Sequence, residues 1–206
     1  MNWWDAHVVP RLIGFACTQP PVMRRRALVV PQAEGRVLEL GAGGGANLPL
    51  YDPRRVTSVT GVDPHARLRA MALRAGVPAA VPIELVDGRA EELPFPDGSF
   101  DTVVTTFTLC SVQDPARALA EARRVLKPGG RLVFLEHGLA PAPGLQRWQR
   151  RLEPLWKRIA GGCHLTRPVA ASIARAGFTI DTLAQEFMER APKVLGWVER
   201  GVARPA

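Results

Sequence analysis

Short apolar runs alternate along the chain with segments whose apolar residues recur at helical spacing. Five runs are β-branched or leucine-rich, bounded by Gly, Pro or Asp, and short enough for buried strands: residues 36–40, 59–62, 83–86, 102–106 and 132–135. Helical spacing occurs over residues 68–74 and 115–126, and the second segment opens with Asp114 as N-cap before Pro115 and is closed by KPGG. This alternation predicts five parallel strands with helices on both faces of the sheet.

The pattern changes after Gly177, where FTIDTLAQEF and then VLGWVERGVA predict two strands joined by a short connection. We expect them to add an antiparallel hairpin to the parallel strands and to complete a Rossmann-like, doubly wound α/β sheet of seven strands. A chain of 206 residues with 47% apolar residues has the size of one domain. Its predicted parts are an N-terminal helical cap (1–34), a ligand-binding core (35–138), a helical insertion or lid (139–176) and the C-terminal strands (177–206).

The charge and the cysteine content limit which partners and which cellular compartment are expected. A formal net charge of +8 favours partners that carry phosphate or carboxylate, or an anionic membrane surface. Cys17, Cys110 and Cys163 are odd in number, widely spaced and lack a CxxC pattern, which predicts neither a disulfide framework nor a closed zinc site. The apolar stretch at the start of the chain is too short and interrupted for a spanning helix or a signal sequence. We therefore expect a cytoplasmic protein.

A glycine-rich turn, LELGAGGGAN, covers residues 38–47 directly after the first predicted strand. Gly41, Gly43 and Gly45 lack the Cβ atoms that would keep a flat ligand away from the backbone at the carboxyl end of that strand. The turn is thus a candidate cofactor site, although a tight strand-to-helix turn without a ligand has the same pattern.

Two acidic residues beside this turn favour one cofactor over another. Glu39 would repel the pyrophosphate of a dinucleotide but attract the ammonium group of a methionine moiety, which favours S-adenosylmethionine over NAD. The alternative for Glu39 is a surface carboxylate, but Leu38 and Leu40 on either side predict a buried strand. Asp63, about twenty residues after the glycines, suits two ribose hydroxyls and also an N-cap before Pro64, and the two roles are compatible.

The segment DGRAEELPFPDGSFD (87–101), together with LELGAGGGAN, GVDP and RVLKPGGRLVFLEH, resembles class I S-adenosylmethionine-dependent methyltransferases of the ubiquinone-biosynthesis type. The resemblance covers residues 36–137 and implies S-adenosylmethionine as cofactor and S-adenosylhomocysteine as product. It also implies that Gly88, Arg89 and Ala90 border the adenine. Many relatives have an acid where this chain has Arg89, and a guanidinium offers no acceptor, so the adenine is expected to be read through backbone near Ala90. The full set of expected cofactor residues is Glu39, Gly41, Ala42, Gly43, Gly45, Asn47, Asp63, Pro64, Gly88, Arg89, Ala90 and Thr106.

Three further motifs, TTFTLCSV (105–112), FLEHG (134–138) and GGCHLTRP (161–168), are similar to those of the membrane-associated methyltransferase-like seven thiol methyltransferases of animals. This resemblance extends to about Gly177 and implies a small thiol acceptor. Other small nucleophiles and lipid headgroups remain alternative acceptors. The animal proteins carry a longer hydrophobic N-terminal anchor than this chain, so only peripheral membrane contact is expected here.

Methyl transfer by in-line displacement needs an aligned acceptor lone pair, exclusion of water and, for some acceptors, a base, but it needs no metal. His137, just beyond the fifth predicted strand, is the candidate catalytic residue, with a capping or solvent-facing histidine as the alternative. His164 is a weaker candidate. Cys110 and Cys163 are attributed to packing because the sequence shows no activating partner for either thiol.

A lid is predicted over residues 145–159 (LQRWQRRLEPLWKRI), where apolar residues lie near one helical face and Pro154 is expected to interrupt the helix. Together with Trp3, Trp4, Phe15 and Met23, this segment is expected to cover the acceptor pocket. The alternatives are a helix that packs on the sheet with a solvated basic face and an interfacial helix on a membrane surface.

Three other functions stay open. The sequence argues against nucleic-acid partners, because TTFTLC lacks the Asn/Asp-Pro-Pro-aromatic element that holds a flipped base and aromatic residues are sparse, and tRNA or rRNA methylation is kept only as an alternative. An NAD-dependent oxidoreductase would share the glycine-rich turn and Asp63. A noncatalytic module would bind S-adenosylmethionine without transferring its methyl group. The oligomeric state is left open.

Overall fold

The structure is a computed structural model that describes residues 14–74 and 81–206. Its strands are β1 (Gly35–Leu40), β2 (Val56–Val62), β3 (Ile83–Val86), β4 (Phe100–Thr106), β5 (Leu126–His137), β6 (Phe178–Phe187) and β7 (Trp197–Pro205). They form one sheet in the order β3-β2-β1-β4-β5-β7-β6, in which β1 to β5 are parallel and β7 is antiparallel to both of its neighbours. The predicted parallel sheet with a C-terminal antiparallel hairpin is confirmed.

The longer helices are α1 (Pro20–Val29), α2 (Ala66–Arg74), α3 (Pro115–Val125), α4 (Pro143–Ile159) and α5 (Val169–Arg175). Residues 14–17 are also helical, and short 3-10 turns cover Val30–Gln32 and Leu48–Leu50. The predicted N-cap of α3 is present, since the Asp114 carboxylate accepts hydrogen bonds from the backbone N–H groups of Ala116 and Arg117, both at 3.0 Å. The KPGG segment after α3 already belongs to β5.

Both faces of the sheet are buried at its central strands, and successive side chains along a strand point to opposite faces. Leu38 and Leu40 of β1 join one apolar cluster with Phe134. Val37 of β1 joins a second cluster on the opposite face with Val104. Glu39 lies between Leu38 and Leu40 and therefore enters the same side as Val37, where it is buried at 1% exposure.

The parallel register brings the functional segments to one edge of the sheet. Glu39 is paired with Gly61 of β2 on one side and with Val104 of β4 on the other. The carboxyl ends of β1, β2 and β4 therefore lie next to each other, where open α/β sheets bind their ligands. This places the glycine-rich turn, Asp63 and Thr106 at a common edge.

α4 continues through Pro154, so the predicted interruption of this helix is wrong. A proline removes one backbone hydrogen bond, but tertiary contacts anchor the turns of the helix that lead up to it. Gln149 is buried and bonds to the backbone between β5 and α4, and the Glu153 carboxylate accepts from the N–H and the hydroxyl of Thr166 at 2.9 and 2.7 Å. Among the helices of residues 14–74 and 81–206, none has both the length and the apolar composition needed to cross a bilayer.

Candidate active site

A cavity of about 830 Å³ lies at the carboxyl edge of the sheet. This volume is within the range of small-molecule sites and is lined mostly by apolar atoms. The predicted site residues that line it are Gly41, Ala42, Gly43, Asp63, Pro64, Gly88, Arg89, Ala90, Thr106 and His137. Glu39, Gly45 and Asn47 do not line the cavity and lie behind its wall. The fold therefore brings the predicted motifs to one cavity, although these three residues do not form part of its lining.

Asp63 holds the turn after β2 and faces the cavity at the same time. One carboxylate oxygen accepts from the N–H of Gly43 at 3.0 Å, and the other accepts from the N–H of His65 at 2.8 Å. The side chain is buried but borders the cavity, and a carboxylate retains further acceptor positions for hydroxyl groups. The hydrogen bond from the ring of His65 to Asp63 raises the pKa of that histidine.

The three glycines of the turn serve different purposes. Gly41 has a φ of +66°, and a Cβ there would collide with the side chain of Thr108. At Gly45 a Cβ would contact Leu48 and Ala72 at 2.9 and 3.0 Å, so this glycine is required by packing. At Gly43 a Cβ would meet nothing closer than a carbonyl oxygen at 3.7 Å, and it would fill space at the cavity wall. Gly43 is thus the glycine that leaves room for a ligand against the backbone.

Glu39 is the centre of a buried hydrogen-bond network. One oxygen accepts from the Asn47 amide and the other from the Tyr51 hydroxyl, each at 2.8 Å. Burial raises the pKa of Glu39 to about 7, against the opposing effect of these hydrogen bonds. The network therefore holds the Glu39 carboxyl close behind the cavity. Because its pKa is near neutral, a cation that binds nearby would favour the ionised carboxylate.

Arg26 of α1 joins this network to the cavity and was missed in the sequence. Its guanidinium donates to the Asn47 side-chain oxygen at 2.7 Å and to the Thr106 hydroxyl at 2.6 Å. Arg26 is 4% exposed, yet it lines the cavity, and no described residue accepts a hydrogen bond from its buried Nε. Its only sequence signal is a run of three arginines, which is typical of a solvated surface.

These groups fit S-adenosylmethionine. A guanidinium with an unused N–H matches the carboxylate of the methionine moiety, and the Glu39 carboxyl behind it matches the ammonium. Asp63 supplies acceptors for a ribose, and Gly43 leaves the backbone open between the two. Gly88 and Ala90 line the part of the cavity expected for adenine.

A second group of side chains lines another part of the cavity. The sulfur atoms of Cys110 and Cys163 are 3.4 Å apart, and the Cys163 sulfur is 3.5 Å from Nδ1 of His137. Cys110 is fully buried and Cys163 is 5% exposed. The hydrogen bond between the two thiols, and then the one between Cys163 and His137, lower the pKa of Cys163. The same thiol–thiol hydrogen bond, together with burial, raises the pKa of Cys110. Both thiols are packed, as the sequence suggested, but they also face the cavity.

The loop after β4 is fixed by a buried carboxylate. Glu136 of β5 accepts hydrogen bonds from the Thr105 hydroxyl at 2.7 Å and from the N–H groups of Thr108 and Cys110 at 3.0 and 3.1 Å. Between them, Phe107 adopts a φ of 55°, and its ring lies 4.8 Å from the His137 ring and 5.3 Å from the Arg26 guanidinium. Phe107 therefore separates the Arg26 network from the group around His137.

The residues predicted to cover the acceptor pocket differ in whether they line the cavity. Phe15, Trp156 and Ile159 line the cavity, whereas Met23 and Trp148 do not. Trp3 and Trp4 lie outside the described residues. Trp148 and other apolar residues of α4 are exposed, which shows that this face of the helix is not packed on the sheet.

His164 does not line the cavity, and its Nδ1 is instead 3.2 Å from a carboxylate oxygen of Glu153. The weaker of the two candidate histidines thus contacts α4 rather than the space where an acceptor would enter. Of these two candidate histidines, His137 is the one that lines the cavity.

The chain is similar to known methyltransferases. Residues 38–134 match the family model described as a methyltransferase domain. The human thiol S-methyltransferase TMT1B is 39% identical over 178 residues, which cover 82% of this chain and 69% of that protein. The TMT1B of Rattus norvegicus is 43% identical over 153 residues, covering 71% of this chain and 61% of that relative, so the chain spans less than two thirds of the rat protein's length.

The fold is also similar to that of a solved methyltransferase. A solved SAM-dependent methyltransferase from Thermotoga maritima superposes with a TM-score of 0.67 at 24% identity, covering 96% of this chain and 98% of that one. The fold, the cavity and the sequence similarity all indicate a methyltransferase. The chain belongs to the class I S-adenosylmethionine-dependent methyltransferases related to the TMT1 thiol S-methyltransferases.

Proposed function

We propose that this protein transfers a methyl group from S-adenosylmethionine to a small, largely apolar thiol. The observation that carries the proposal is a single cavity lined by two chemically different groups. One part presents Arg26 and Asp63 to a cofactor, and another part presents His137 and two cysteines among apolar side chains. Both reactants can therefore occupy one cavity, as direct transfer requires.

The cofactor part is assigned to residues already hydrogen-bonded into fixed positions. Arg26 holds the methionine carboxylate, Glu39 balances the ammonium group, and Asp63 accepts from the ribose hydroxyls. Preorganised side chains of this kind orient a ligand without a large loss of side-chain entropy on binding. Bound S-adenosylmethionine supplies an electrophilic methyl group on its sulfonium.

The acceptor part excludes water and selects apolar molecules. Phe15, Phe107, Trp156 and Leu195 line it, so an acceptor with an alkyl or aryl body gains from burial there. His137 is the proposed catalytic residue, because its ring faces the cavity beside Cys163 and can contact an acceptor sulfur. The names of the TMT1 relatives favour a thiol over an amine or an alcohol.

The experiment presents isotopically labelled cofactor with a thiol, an alcohol and an amine that share one carbon skeleton. Methylation of the thiol to its thioether, detected by mass spectrometry, is the expected result. His137→Gln should reduce turnover while S-adenosylhomocysteine still binds, and His164→Gln is the matched control because His164 does not line the cavity.

Transfer to the amine or alcohol alone would overturn the acceptor class. Transfer to none of the three would favour a noncatalytic module, and calorimetric binding of NAD in place of S-adenosylhomocysteine would contradict the cofactor assignment.

We also propose a cytoplasmic protein that touches an anionic membrane surface through α4. Trp148 and Leu155 are 56% and 61% exposed on this helix. Arg147, Arg150 and Arg151 are exposed on the same helix and supply the complementary charge. Sedimentation with phosphatidylglycerol vesicles should exceed sedimentation with phosphatidylcholine vesicles, and Trp148→Ser should reduce it. Equal sedimentation with both vesicle types would refute the proposal.

A further inference from the structure

Cys110, His137 and Cys163 come from three separate segments and meet at the cavity. They follow β4, end β5 and follow α4, respectively. Their sulfur and ring-nitrogen atoms all lie within 4.8 Å of one another. This convergence joins two soft sulfur donors and one imidazole that are 26 or more positions apart in the sequence.

The spacing suits a tetrahedral metal ion. Zinc–sulfur bonds of about 2.3 Å and zinc–nitrogen bonds of about 2.0–2.1 Å place tetrahedral ligand atoms roughly 3.5–3.8 Å apart. The Cys110–Cys163 sulfur distance is 3.4 Å, and the Cys163–His137 distance is 3.5 Å. We propose that Cys110, His137 and Cys163 bind one zinc ion, with the fourth coordination position open to the cavity.

The donors are held in place by their surroundings. The Cys110 N–H donates to Glu136 at 3.1 Å, and the Cys110 carbonyl accepts from the N–H of His164 at 2.7 Å, which ties the two cysteine segments together. The His137 ring packs against Phe107. Such outer contacts orient metal ligands. Thiolate and imidazole donors select zinc over the oxygen-seeking magnesium and calcium ions.

An open Cys₂His site explains how a thiol is recognised, and this part of the inference rests on the proposed function. An entering thiol takes the fourth position and loses its proton to solvent, because coordination to zinc favours the thiolate. The acceptor sulfur then forms a bond to the methyl carbon as the carbon–sulfur bond of the sulfonium breaks. The products are a neutral thioether, which is a weaker ligand and leaves the zinc, and S-adenosylhomocysteine.

Cobalt(II) tests the site directly, because thiolate coordination gives it an intense near-ultraviolet charge-transfer band. The full chain is reduced, stripped with a chelator and titrated with cobalt and then with competing zinc. We expect one cobalt per chain, displaced by one zinc. Cys110→Ser and Cys163→Ser should each weaken cobalt binding more than about 100-fold. Cys17→Ser is the matched control, because Cys17 lines the same cavity but lies outside the cluster, and it should bind cobalt normally.

S-adenosylhomocysteine calorimetry establishes that each variant is folded, and Cys163→Ala provides a second substitution if the serine variant fails this check. No charge-transfer band in the reduced wild-type protein, or an equal band in the folded cysteine variants, would overturn the metal site. Full thiol methylation by metal-free protein would overturn its role in the reaction. If zinc-loaded protein binds metal as expected but methylates no thiol, the proposed function fails while the metal site stands.

Discussion

Replacing Glu39 by Gln removes a buried ionisable group while keeping the shape of the side chain. Burial raises the pKa of Glu39 from 4.5 to about 7 in the folded, cofactor-free protein. Between these pH values the unfolded chain releases the proton and the folded chain retains it. The stability that Glu39 contributes is therefore fully present below about pH 4.5 and is lost as the pH rises through 7.

The size of this effect follows from the shift. Each pKa unit corresponds to about 1.36 kcal/mol, so the full loss is roughly 3 kcal/mol, of which roughly 2 to 3 kcal/mol falls between about pH 5 and pH 8. Glutamine stays neutral over this range. We expect the free energy of unfolding of Glu39→Gln, relative to wild type, to increase by that amount from about pH 5 to pH 8.

Urea denaturation followed by tryptophan fluorescence measures the difference at each pH. The control is Glu84→Gln, which neutralises an exposed carboxylate on β3 and should change the free energy of unfolding by less than about 0.5 kcal/mol at every pH. If the difference between Glu39→Gln and wild type were independent of pH, Glu39 would not retain its proton in the fold, and the reasoning from burial would be refuted.

Three further predictions concern binding and stability. Asp63→Asn should weaken S-adenosylhomocysteine binding about 10- to 100-fold by calorimetry, because hydrogen bonds to a charged group are lost, and Asp87→Asn, at an exposed carboxylate, should not. Arg26→Met should weaken the same binding at least about 10-fold, whereas Arg25→Met, whose side chain contacts the β6 end instead, should leave it near wild type. Asp114→Ala should cost about 1 kcal/mol and lower the Tm by roughly 2–4 °C without altering cofactor affinity, and an unchanged Tm would contradict the capping role.

The sequence predicted the parts of the fold that depend on local patterns. Buried parallel strands are continuous apolar runs, so the predicted β3 has its observed ends, and Asp114 followed by Pro115 predicts the observed N-cap of α3. β5 starts at Leu126, earlier than predicted, because Leu126 pairs with Phe100 across a KPGG segment that resembles a loop. The continuation of α4 through Pro154 depends on tertiary anchors that no local pattern shows.

The residues of the candidate site likewise fall into those that a local pattern predicts and those that it does not. Gly43 and Asp63 belong to short motifs next to strand ends, and the structure places both at the cavity. Arg26 acts through residues 21 and 80 positions away, and Cys110 meets Cys163 across 53 positions. Contacts over such separations are set by the packing of whole elements. Composition and spacing could therefore not distinguish these residues from surface arginines and ordinary core cysteines.

The ring of Phe107 couples the binding of the cofactor to the binding of the acceptor. It contacts the guanidinium expected to hold the cofactor and the imidazole expected to meet the acceptor, on a backbone with positive φ that costs about 1–2 kcal/mol. A ligand that displaces the ring on one side alters the contacts on the other. We therefore expect the two substrates to change each other's affinity by one shared factor, as thermodynamic linkage demands, and Phe107 to set its size.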